Sequence, residues 1–224
     1  LSYYEALKYI ARKYGIEVVE KEYTDEEKQA QSDRESMFIL NEYARDYFVK
    51  ILHTHPEGKA VGLSYFRERG FRDDIVRKFQ LGYSLEQRDA FSSEAQKAGY
   101  RHDNRPLVDR FRGRVLFPVH TLSGKVVAFG GRILKKVENV GKYVNSPESE
   151  IYSKSRELYG IYFAKNAIVK QDKCFLVEGY TDVISMHQAG IENVVASSGT
   201  ALTHGQIRMI HRFSENITVL YDGD

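Results

Sequence analysis

Apolar residues recur at helical spacing at Tyr4, Leu7, Ile10, Ala11 and Tyr14, and Gly15 sits where a C-terminal stop belongs. The chain is therefore expected to open with an amphipathic helix. Ile16 to Val19 reads as a short extended piece. Glu20 to Ser36 is dense in charge and fits a solvated helix or a linker, with a boundary expected there. Met37, Leu40, Ala44, Tyr47, Phe48 and Ile51 predict a long amphipathic helix over 37–52, broken by the run His53-Thr54-His55-Pro56-Glu57-Gly58. Short helices are expected over 63–69 and 73–79, closed by Gly70 and near Gly82, and a further helix within 84–99.

From Arg114 the period changes. Residues 115–119 and 126–129 are predicted strands joined by a turn at Ser123-Gly124. Tyr143 to Tyr152 reads as a loop around Pro147, and 158–169 as a helix. The last fifty residues alternate: strand 174–177, helix 181–189, strand 193–196, helix 203–213, strand 217–221. That β-α-β-α-β order predicts a parallel sheet with right-handed crossovers, so the first and third strands end on one edge.

Acidic groups collect at that edge. Glu178-Gly179 follows the first strand, Asp222-Gly223-Asp224 follows the third, and Asp182 falls near a helix start, where the macrodipole favours an anion. Four carboxylates close together repel one another unless a cation joins them. Hard oxygen donors suit magnesium, with manganese as a substitute. Asp-Gly-Asp alone is ordinary turn chemistry. Its pairing with Glu-Gly at the end of an earlier parallel strand favours a metal site, and with it phosphate chemistry.

A hydrophobic content of 42% supports a sizeable core. No run of 18 apolar residues exists, so no membrane span is expected, and no signal peptide is visible. The chain lacks an initiator Met, as expected of a piece of a longer protein. The single cysteine, Cys174, excludes an internal disulfide and a zinc ribbon within these residues, and fits a reducing cytoplasm. The net charge of +2 hides an asymmetry: residues 101–156 carry +7 and the remainder −5. A basic middle beside an acidic site suits a polyanion, although a solvated basic face is common. Arg132 follows Gly130-Gly131, a pair that allows close approach of a backbone or phosphate. Arg132, Lys142, Asn145 and Lys154 are assigned to phosphate binding, with Arg112 and Arg114 on the same basic strands and Arg67 and Arg69 as secondary choices. His53 and His55 are read as loop residues rather than metal ligands, and none of the 16 tyrosines is singled out as a stacking platform.

Residues 173–224, through Glu178-Gly179 and Asp222-Gly223-Asp224, resemble the TOPRIM domain of bacterial primases, topoisomerases and some nucleases. Three further stretches resemble bacterial primases specifically: Arg110 to Val119, Val127 to Arg132, and Lys142 to Glu148 continued by Ile151 to Lys154 and Leu158-Tyr159-Gly160. Glu178 to Val183, including Asp182, is also close to the primase version. The resemblance implies an α/β fold, with an α+β basic subdomain followed by a Rossmann-like parallel-sheet TOPRIM subdomain. It implies three parts: 1–36, the end of a zinc-binding domain and a linker; 37–170, the basic subdomain of an RNA-polymerase domain; and 171–224, an incomplete TOPRIM subdomain. It further implies Glu178 as general acid or base and metal ligand, and Asp222 and Asp224 as magnesium ligands, with Asp182 in the catalytic set. The zinc ligands would lie outside this chain. The expected activity is synthesis of short RNA primers by a monomer from ribonucleoside triphosphates on single-stranded DNA in the bacterial cytoplasm. A replicative helicase would be engaged through a C-terminal domain outside this chain. A topoisomerase or nuclease on the same metal module, or a non-catalytic DNA-binding module, remains the alternative.

Overall fold

The computed structural model describes residues 3–16, 24–100, 108–135, 140–197 and 201–221. Two compact units partition the chain, Leu1–Glu35 and Ser36–Asp224. Helix α1 (Tyr3–Lys13) occupies the first predicted position. Most of the predicted extended piece, 17–19, lies outside the described residues. Helix α2 (Asp25–Thr54) begins with a reciprocal cap. The Glu27 N–H donates to Thr24 Oγ1 at 3.2 Å and the Thr24 N–H to Glu27 Oε2 at 3.0 Å. Three acids in the first turn complement the helix dipole. The charged stretch is thus helical well before Met37, where the apolar pattern begins. Ala44, Phe48 and Leu52, four residues apart, form the buried stripe of α2.

After Thr54 the chain bends into a π-helical segment, Gly58–Leu63, then α3 (Ser64–Glu68) and α4 (Asp73–Lys78). Strand β1 (Gly82–Ser84) and helix α5 (Ala90–Lys97) lead to β2 (Arg114–His120) and β3 (Val126–Ile133). Strand β4 (Tyr143–Asn145) completes an antiparallel sheet of order β1-β2-β3-β4. Neither β1 nor β4 was foreseen. Three residues are too few to display alternation, and each forms because β2 or β3 offers it an edge. Strand β3 also runs four residues past Phe129, carrying Arg132 into the sheet, paired with Val115 and Tyr143.

Helix α6 (Ile161–Gln171) precedes the second sheet. Strand β5 (Cys174–Val177), helix α7 (Tyr180–Gln188), strand β6 (Val194–Ala196), helix α8 (His204–His211) and strand β7 (Ile217–Leu220) give the predicted alternation. Its order is β6-β5-β7, all parallel. One core layer gathers Leu158, Ile161, Ile168, Leu176, Val195 and Ile210, and a second gathers Val177, Val183, Ile184 and Val194 with the antiparallel sheet's Phe117 and Val119. Cys174 is fully buried, which pushes its thiol up to about 12. The outer strand β7 leaves Val219 and Leu220 nearly half exposed. No helix among the described residues is long and apolar enough to cross a membrane.

One carboxyl sits badly. Burial raises Glu157 to about 7, and its Oε2 has no hydrogen-bond partner among the described residues. A folded-state value above the unfolded one makes its contribution greatest below pH 4.5 and lost as pH rises through 7. Glu157→Gln should therefore raise stability at pH 8 by about 1–2 kcal/mol and leave it unchanged near pH 4. Urea titrations at the two pH values measure the difference.

Candidate active site

Strand β5 is apolar and delivers an exposed Glu178 one residue after Val177, which is 3% exposed. Val177 pairs with Leu220 of β7, so the two parallel strands leave the sheet side by side. Gly179 then caps α7, and its N–H donates to Asp182 Oδ2 at 2.9 Å. Asp182 thereby closes the first turn and sits where the dipole favours its charge. Asp222 and Asp224 lie outside the described residues. Among the described residues no three His, Cys, Asp or Glu gather as a metal cluster.

Tyr180, the first residue of α7, ties this edge to the antiparallel sheet. Its ring stacks on Phe117 at 5.0 Å and 7°, and crosses Tyr159 edge-on at 4.7 Å. A Cβ at Gly130 would fall 2.3 Å from that ring. The Tyr180 hydroxyl donates to Asn145 Oδ1 at 2.7 Å. At Gly131 a Cβ would meet the Phe111 ring at 2.6 Å. The glycine pair therefore admits the protein's own aromatic rings, which corrects the expectation that it leaves room for a phosphate.

The predicted basic residues separate into two kinds. Arg114 is 5% exposed, and its guanidinium donates to the carbonyls of Gly131, Gly141 and Lys142 at 3.2–3.4 Å. It pins the start of the loop that carries Lys142, and its Nη groups are committed to those carbonyls, which argues against the phosphate-binding role expected of it. Arg67 pairs with Asp73 at 2.9 Å. Arg69, Arg112 and Lys142 are exposed, while Arg132, Asn145 and Lys154 are partly buried. Arg132 lies over the rings of Tyr65 and Tyr143 at 5.0 and 5.6 Å and donates to the Tyr143 hydroxyl at 3.2 Å. Arg69 covers Tyr65 at 5.5 Å. Asn145 accepts at its backbone oxygen from Arg110 Nε at 3.2 Å, and the Lys154 N–H donates to Glu148 Oε1 at 2.8 Å. Arg110, Arg112 and Arg114, with Lys135 and its ion-pair partner Glu86, line a cavity of about 320 Å³. Burial and Tyr143 push the Tyr65 hydroxyl up, against the pull of Arg132. Nothing in the sequence alone assigns a role to Tyr65, Tyr143, Tyr180 or Arg110; Arg110, Tyr143 and Tyr180 do stand inside the primase-like stretches, and that adjacency is the available signal.

Residues 47–165 match the family model of the DNA primase catalytic core, N-terminal domain, and residues 175–224 match a Toprim-like model. The chain belongs to the bacterial DNA primase family. A DNA primase of Clostridium acetobutylicum is 38% identical across 100% of this chain and 38% of its own length. One of Halalkalibacterium halodurans is 40% identical across 86% of this chain and 34% of its own length. The chain thus spans a little over a third of these primases. The crystal structure of the RNA polymerase domain of Mycobacterium tuberculosis primase DnaG superposes with a TM-score of 0.79 at 33% identity, covering 85% of this chain and 67% of that one. A DnaG primase catalytic domain bound to single-stranded DNA superposes at 0.75 and 32% identity, covering 87% of this chain and 63% of that one.

Within this primase-family core, Gly130→Ala should lower stability by about 1–3 kcal/mol, as overpacking does. Tyr180→Phe, which keeps the ring and removes one hydrogen bond, should cost about 1 kcal/mol. Denaturant midpoints rank the two, and an unchanged midpoint for Gly130→Ala would contradict the close approach at Tyr180.

Proposed function

We propose that this chain is the catalytic part of a primase, a DNA-dependent RNA polymerase that makes short RNA primers on single-stranded DNA by nucleotidyl transfer. The observation that carries the reading is the parallel pairing of β5 with β7 up to Val177 and Leu220, from which Glu178 leaves the sheet. Glu178, Asp222 and Asp224 would hold the metal, magnesium by preference and manganese as a substitute. An exposed carboxylate at the end of a buried strand is a hard oxygen donor of the kind such a cation takes. A divalent ion bound there would supply charge neutralisation for the nucleotide phosphates and the departing pyrophosphate.

The protein groups do the rest. Glu178 accepts the proton of the attacking 3′-hydroxyl, and Asp182 fixes the turn that aims it. Arg132, held between two tyrosine rings, and Lys142 neutralise phosphate. Asn145, Lys154, Arg69 and Arg112 extend that basic surface along the template backbone, giving affinity with little sequence preference. Ribonucleoside triphosphates are the substrates. A replicative helicase is the partner of the whole protein, the cytoplasm its compartment, and a monomer its working form.

In the full-length protein, Glu178→Gln should reduce primer synthesis by about 10³-fold while template binding persists. Undiminished synthesis would sink the assignment. Arg132→Ala should weaken template binding and reduce its salt slope by about one. Arg114→Ala should instead lower the melting temperature and leave the slope alone, since its carbonyl partners lose their donor. Fluorescence anisotropy across a salt series, beside thermal melts, separates the two arginines.

A further inference from the structure

On the outer face of the Toprim-like sheet, α8 presents a second basic surface distinct from β2–β4. His204, Arg208, His211 and Arg212 are all exposed, at spacings that place them on one side of the helix. Together with Arg156, three of them (His204, Arg208 and Arg212) border an open groove of about 540 Å³, lined also by Ser155 and Met209, with no acidic side chain among the described residues of its wall. Arg156, Arg208 and Arg212 form no ion pair with the described residues, whereas Arg45, Arg67 and Arg72 each hold a carboxylate. Unpaired arginines gathered in one concave surface repel one another, a cost that an anion removes.

The groove is built rather than accidental. Thr203 caps α8: its Oγ1 accepts from the Gln206 N–H at 3.2 Å and also donates to the Ser155 carbonyl. Gln206 is fully buried, and its Nε2 donates to the carbonyls of Lys154 and Glu157, both at 3.0 Å. A Cβ at Gly205 would stand 2.6 Å from the Ser155 oxygen, so glycine lets the two walls close to this distance. The segment carrying Lys154 and Arg156 is thereby clamped to the first turn of α8.

Position gives the groove its meaning. Strand β6 is parallel to β5, so the helix that follows β6 begins at the same sheet edge from which Glu178 emerges. We propose that this groove binds the phosphodiester backbone of the nucleic-acid strand beyond the acidic edge, with Arg156 nearest that edge and Arg208 and Arg212 farther along it. From His204 to Arg212 the helix advances about 12 Å, room for about three phosphates at roughly 3.4 Å of duplex axis each. The inference rests on the polymerase reading and extends its template path on to α8.

The test uses full-length protein and a fluorescein-labelled primed template, with binding measured by anisotropy from 50 to 200 mM salt. Arg208→Gln with Arg212→Gln should flatten the slope of log affinity against log salt by about 1.8, at 0.9 per lost phosphate contact. The unsubstituted protein should then lose about tenfold more affinity than the variant over that range. Lysine at both positions should restore the slope. An unchanged slope in a glutamine variant that melts like the original would overturn the proposal. So would a lysine variant as impaired as the glutamine one, because the role would then be packing. Weakened ATP binding with an unchanged slope would assign the groove to a nucleotide and overturn the strand assignment. An unsubstituted protein with no affinity for DNA would overturn the polymerase reading as well; Glu178→Gln, which touches synthesis alone, keeps the two failures apart.

Discussion

The Tyr180 ring in the space left by Gly130 is the joint on which the candidate site depends. It belongs to α7, so it moves with Gly179, Asp182 and the end of β5. It lies on Phe117 of β2, and its hydroxyl holds Asn145 of β4. Within the core layer shared by Val177, Val183, Phe117 and Val119, this side chain is the one that reaches from the acidic edge to the strands that bear Arg132 and Asn145. Ring thickness and one 2.7 Å hydrogen bond thus contribute to the offset of the site's two halves.

Charge is distributed with a similar economy. The basic residues of the middle segment look alike in sequence, yet burial sorts them. Arg114 serves carbonyl oxygens inside the sheet, Arg132 is steadied by tyrosine faces, and Arg112 and Lys142 remain in solvent. A guanidinium restrained by aromatic rings keeps donors available while losing little rotamer freedom on binding. On the proposed reading, Arg132 would meet a phosphate in a geometry already selected.

The alternating elements from Cys174 onward were legible because each apolar run has one period and a clear stop. The long helix was underestimated because its first three turns are polar and depend on the Thr24–Glu27 cap rather than on an apolar face. The short strands β1 and β4 come from pairing, a non-local property that no window of sequence contains. At the site, Glu178 and Asp182 could be read from strand and helix ends. Arg114 could not be separated from Arg112, because facing inward or outward is decided by the sheet's neighbours. The Gly130-Gly131 pair signalled close approach correctly, but only the fold says that the approaching group is Tyr180.

Strand β7 pairs with β5 on one side, and no other strand among the described residues covers its far side. Val219 and Leu220 stand nearly half exposed along it. Such a border is a template for intermolecular β-sheet growth. An uncovered rim of this kind favours concentration-dependent clumping, and Val219→Lys would be the natural gatekeeper against it.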